Sequence, residues 1–186
     1  MKKKQCLALV VFILSGFVSA PQGHAPIAAV EDRVSIRLKG IDGKTYDISE
    51  MRGRFLVVAF GATWCQPCHE ELRDLEILHL EFKDRPVRFL WISLDDAGKG
   101  GTSNSDLKKF ARELNFTFPI LRDPEREAYK QFSKRQRIPL LVVFDKEGRV
   151  VLPNQFGAAS QPGFFRITFR NRLKDLFARE ETLIKQ

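Results

Sequence analysis

The sequence predicts an α/β fold, a mixed-sheet sandwich held in one domain, and three observations carry that prediction. Short runs at Phe55 to Phe60, Val87 to Leu94 and Leu140 to Phe144, the second mostly apolar and the other two wholly so, have the length of buried strands. Between the first two, Leu72, Leu75, Leu78 and Phe82 recur at helical spacing, which makes a strand–helix–strand unit and requires parallel pairing. After the third, Asp145-Lys146-Glu147-Gly148 separates it from Arg149 to Leu152, and the glycine suits a hairpin turn, so the sheet ends antiparallel.

The elements follow in order along the chain. Lys2, Lys3 and Lys4 precede an uncharged run from Cys6 to Val18 that ends in small residues, the pattern of an export signal. That run is about 13 residues, short of the roughly 20 that cross a bilayer as a helix. We therefore assign residues 1–25 to a cleaved signal peptide, with Ala20, Ala25 and Ala29 as alternative cleavage points, and residues 26–186 to a single domain. An uncleaved segment would act as a membrane tether. Val34 to Leu38 reads as the first strand and Asp42-Gly43 as a turn. Ser103 and Asp106 form a capping box before the helical stripe Leu107, Phe110, Ala111 and Leu114. A short helix is predicted over Glu125 to Ser133.

Charge excludes little. The formal net charge of the 186 residues is +8, and loss of the three signal lysines leaves +5. The last segment is basic through Arg166, Arg170, Arg172, Lys174 and Arg179, yet Phe165, Phe169, Leu173, Leu176 and Phe177 recur at helical spacing within it. An amphipathic helix packed on the domain, with a solvated outer face, explains both features without nucleic acid or a membrane surface.

The chemistry is concentrated where the first strand of the parallel unit hands over to its helix, at Trp64-Cys65-Gln66-Pro67-Cys68. Unpaired N–H groups and partial positive charge at a helix N-terminus stabilise a thiolate, lowering its pKa from the roughly 8.5 of free cysteine. Cys65 is thus the candidate nucleophile. Cys68, three residues on, can close a ring with it, so the pair can carry two electrons. Pro67 lacks an N–H and has a fixed φ, which suits a first helical turn. Glu71 shares a helix face with Cys68 and is the candidate proton acceptor for the resolving thiol, although any acid in a first turn is also stabilised by the helix dipole. Once the signal is removed, Cys65 and Cys68 are the remaining cysteines of the three, which suits redox work outside the cytosol.

Over roughly residues 31–180 the chain resembles the TlpA/ResA-type thioredoxin-like proteins, exported thiol-disulfide oxidoreductases of bacteria. The resemblance rests on Phe60-Gly61-Ala62-Thr63-Trp64-Cys65-Gln66-Pro67-Cys68, then Glu71, then Ile138-Pro139 ahead of the strand from Leu140. It implies a thioredoxin-like fold with a central helix-bearing insertion from about Asp95 to Pro124. It further implies that Pro139 is a cis-proline facing the dithiol, that Ile138 offers backbone groups to substrate, and that Trp64 covers the apolar side of the thiols and meets substrates. Plain thioredoxin carries a buried aspartate on the strand before the motif; Ala59 stands there, which strengthens the case for Glu71. The implied activity is reduction of disulfides in exported proteins such as apocytochromes c or copper-site assembly proteins. Electrons would come from a membrane thiol carrier. The implied location is the periplasm or another extracytoplasmic space, and the implied state a monomer without cofactor or metal.

Other readings of the same residues stay in view. Cys65-Gln66-Pro67-Cys68-His69 also satisfies the c-type haem attachment pattern, with Met51, His24, His69 and His79 as the scarce axial candidates. A purely structural disulfide, a thiol peroxidase and a zinc site are further possibilities; zinc would need two more ligands. Gly98 to Thr102 lacks the spacing of a phosphate loop.

Overall fold

The computed structural model describes residues 34–98, 100–135, 137–156 and 163–184. The expected signal segment and its cleavage points lie outside the described residues. The elements run β1 (Arg37–Gly40), β2 (Thr45–Asp47), a 3-10 turn (Ile48–Met51), β3 (Phe55–Gly61), α1 (Gln66–Glu81), β4 (Val87–Ser93), α2 (Asn104–Leu114), β5 (Ile120–Arg122), α3 (Glu127–Lys130), β6 (Leu140–Phe144), β7 (Val150–Phe156) and α4 (Phe164–Ile184).

The strands form one mixed seven-stranded sheet in the order β2-β1-β5-β4-β3-β6-β7. β3 pairs with β4 in parallel and β6 with β7 antiparallel, as the strand–helix–strand unit and the Gly148 turn predict, and β3 also pairs with β6 antiparallel. The long apolar runs have a direct cause. Phe55, Val57 and Ala59 enter one core with Leu72, Leu75 and Leu78 of α1, while Leu56, Val58 and Phe60 enter a second core on the opposite face with Ile36, Leu90 and Tyr129. A central strand covered on both faces has no polar side to show. Phe169, Leu173 and Phe177 of α4 join the first core. Its arginines are used locally: Arg166 meets Asp74 at 3.3 Å and Arg170 meets Glu81 at 2.7 Å, both on α1.

Three departures from the expected elements have physical reasons. β1 pairs only from Arg37 onward rather than from Val34, because its partner across the Gly43 turn is the unforeseen three-residue β2. The segment from Asp95 to Pro124 contributes not only α2 but also β5, which lies between β4 and β1. Three-residue strands are too short to show a period. The helix expected over Glu125 to Ser133 contracts to a single turn, α3. Arg126 is left-handed at φ 61°, and the Asp123 side chain takes the Tyr129 N–H that a longer helix would have bonded to a carbonyl.

Candidate functional site

β3 delivers the motif to the carboxyl end of a central parallel strand, where α/β sheets place their reactive groups. Cys65 is the N-cap of α1, with Pro67 in the first turn, and the Cys68 N–H donates to Cys65 Sγ at 3.3 Å. The two cysteines are joined by a disulfide with Cα atoms 5.2 Å apart. Both are buried, and with Ala62 and Ile138 they form a small cluster of their own. Gly61 is required beneath them, since a Cβ there would come within 3.1 Å of Cys68 Sγ and 2.9 Å of Trp91 Nε1.

The Ile138–Pro139 peptide bond is cis and leads directly into β6. Trp64 is 71% exposed and shares a recess of about 100 Å³ with Leu94, Arg126, Tyr129 and Ile138. It is the Ile138 side chain that packs on the cysteines. Glu71 lies on the inward face of α1, 3% exposed. Burial, with a smaller contribution from the charge of Asp74, pushes its carboxyl up to about 8. Asp74 is itself raised by burial, opposed by Arg166.

Asp95 is a functional candidate absent from the sequence reading. Only 2% exposed, it accepts the Thr63 N–H at 3.1 and 3.0 Å, the Thr63 hydroxyl at 2.7 Å and the Ser93 hydroxyl at 2.8 Å. It thereby ties the redox turn to the end of β4. Its signal was an acid two residues beyond the last strand residue, Ser93, on the neighbour of the motif strand. Tyr129 likewise went unnoticed: its hydroxyl lies 2.7 Å from the carbonyls of both Arg135 and Arg137, which share its one proton, and it accepts the Arg137 N–H at 2.8 Å, fixing the approach to Pro139.

His69 turns away from the ligand role that haem attachment would demand. Its Nε2–H donates to the Thr63 carbonyl at 2.7 Å, and the ring lies edge-on to Phe110, with centroids 5.0 Å apart. His79 is a boundary residue against Phe89 and Phe118. Among the described residues, no group of three or more His, Cys, Asp or Glu side chains is placed to hold a metal ion.

The chain is similar to known proteins. A model of the AhpC/TSA family matches residues 30–152. The thiol-disulfide oxidoreductase ResA of Oceanobacillus iheyensis is 31% identical over 149 residues, covering 77% of this chain and 74% of the relative. The exposed lipoprotein thioredoxin of Streptococcus pneumoniae is 28% identical, covers 76% of this chain and 98% of its own, and superposes with a TM-score of 0.57. A thiol-disulfide oxidoreductase from Bacteroides fragilis, 21% identical, covers 77% of this chain and 98% of its own with a TM-score of 0.62, and shows the same fold. The chain belongs to the AhpC/TSA family of thioredoxin-like proteins and, within it, is a thiol-disulfide oxidoreductase of the ResA type.

Proposed function

We propose that the protein is an exported reductase of disulfides in extracytoplasmic proteins, working through the Cys65/Cys68 pair after removal of residues 1–25. The single observation that carries the reading is the placement of Cys65 as N-cap of α1, with Cys68 one turn on and Ile138 against both. In the reduced protein the Cys65 thiolate attacks a substrate disulfide; a Cys65–substrate bond forms and one substrate sulfur leaves, taking up a proton. Cys68 then loses its proton and attacks Cys65 Sγ, closing the Cys65–Cys68 bond and releasing the second substrate thiol. Two electrons pass to the substrate. A membrane thiol carrier, oxidised in turn, restores the pair.

Glu71 fits both halves of this cycle. A value of about 8 lies close to the roughly 8.5 of a free thiol, so proton exchange between the two groups is nearly balanced. In the oxidised form Glu71 holds its proton at pH 7 and can give it to Cys68 when the donor opens the disulfide. During resolution the ionised carboxylate takes it back. Ile138 and Pro139 would align an extended substrate segment, and Trp64 would cover its apolar side. By resemblance to the family, apocytochromes c and copper-site assembly proteins are the substrate class. Neither a cofactor nor a metal is needed, and the working unit is a monomer.

Trapping in cells tests the proposal. Cys68→Ala leaves the attacking thiol without its resolver, so covalent adducts with disulfide-bearing exported proteins should accumulate and be released by dithiol. The Cys65→Ser/Cys68→Ala double variant should give none. Absence of adducts with Cys68→Ala as well would point instead to a structural disulfide.

A further inference from the structure

The recess beside the redox pair is apolar on most of its wall, through Trp64, Leu94, Tyr129 and Ile138, and cationic at one point, Arg126. The backbone that carries it is fixed locally. Arg126 is half-buried with a left-handed backbone, and its N–H donates to the Asp123 carbonyl at 3.0 Å. Among the described residues no carboxylate forms an ion pair with it. Lys134 and Arg135, both exposed, precede Ile138 in the chain, and the Arg135 carbonyl accepts from the hydroxyl of Tyr129, which lines the recess, so they add positive charge to the same region without lining the recess themselves. The acids nearest in sequence do not neutralise the rim. Asp123 accepts the Tyr129 N–H and Glu127 pairs with Lys130 at 2.8 Å; Glu125 is exposed and, among the described residues, forms no ion pair with Arg126.

We propose that this cationic rim selects the substrate: the protein favours disulfides carried on an extended segment with carboxylate side chains close to the reactive cysteine. The proposal rests on the dithiol reading above and deepens it. An apolar residue of the segment would fill the recess against Trp64 and Ile138, while a neighbouring carboxylate reaches Arg126. Complementary charge of this kind raises the rate of encounter and rejects like-charged partners more than it adds raw affinity. The preference must therefore show in the rate of mixed-disulfide formation and weaken with salt.

The test uses the reduced full chain and two synthetic peptides with one intramolecular disulfide each, identical except for glutamates or lysines beside the reactive cysteine. Neutral dipyridyl disulfide serves as the reference for thiol reactivity, and each peptide rate is expressed relative to it. At low ionic strength the glutamate peptide should react about tenfold faster than the lysine peptide, with the ratio falling towards one in 1 M salt. Arg126→Asn, chosen because asparagine tolerates left-handed backbone, should cut the ratio at least threefold. Lys134→Gln/Arg135→Gln should lower it independently, which keeps the test decisive if the first variant folds poorly. Equal rates for the two peptides, or a preference that salt and both variants leave intact, would overturn the proposal. A wild-type protein that ignores the neutral disulfide would instead sink the dithiol reading itself, and this inference with it.

Discussion

Glu71→Gln is expected to make the oxidised protein more stable at neutral pH, by on the order of 3 kcal/mol at pH 7. The carboxyl goes from an ordinary 4.5 to about 8 on folding, chiefly through burial, so the folded chain binds this proton more tightly than the unfolded one. Stability from such a group is fully present below its unfolded value and is lost as pH rises towards about 8. Glutamine mimics the protonated form without that dependence. The gain over wild type should therefore be under about 1 kcal/mol at pH 5 and level off above pH 8. Denaturant unfolding at pH 5, 7 and 8.5 measures it, and a difference that does not change with pH would contradict the buried-acid account. The same variant should resolve mixed disulfides more slowly, because glutamine cannot exchange a proton with Cys68. Greater stability with weaker catalysis is what a buried group retained for chemistry produces.

Asp95→Ala is expected to cost about 3 kcal/mol and to slow the initial attack on substrate. The change strands the Thr63 N–H, the Thr63 hydroxyl and the Ser93 hydroxyl, all donors to one buried carboxyl. Unsatisfied buried donors cost more than the bonds contribute when made. Thr63 also supplies the carbonyl that accepts from His69, so the loss should spread through the turn that presents Cys65. Denaturant midpoint and hydrogen exchange at the Thr63 amide report the two effects. Unchanged exchange there, with normal stability, would show that Asp95 does not hold the turn.

What was legible in the sequence was what has a period or a motif. β3 and β6 announced themselves because burial on both faces leaves no polar position, β4 because its buried stretch Phe89 to Ile92 is apolar, and α2 because its capping box and stripe coincide. The positions of Cys65, Cys68 and Glu71 on one helix were legible from spacing, whereas the cis bond at Ile138-Pro139 was expected from the family resemblance together with the strand that follows, since Ile-Pro by itself favours trans. The bonds to Asp95 and Tyr129 were not, since each joins residues distant in sequence or connects a side chain to backbone in an irregular segment. No pattern of residue types encodes such a contact. Arg126 was hidden for a related reason: the sequence places it inside a helical stretch, and only the left-handed turn brings it to the recess.

The account stands on the two sulfurs cycling. The most direct measurement mixes the reduced protein with one equivalent of an oxidised protein substrate, quenches with an alkylating reagent and weighs the products by mass spectrometry. Both thiols of Cys65 and Cys68 should disappear together as two substrate thiols appear, with a transient adduct through Cys65. Cysteines that stay locked under mild dithiol, or that lose their thiols without any gain by the substrate, would contradict it.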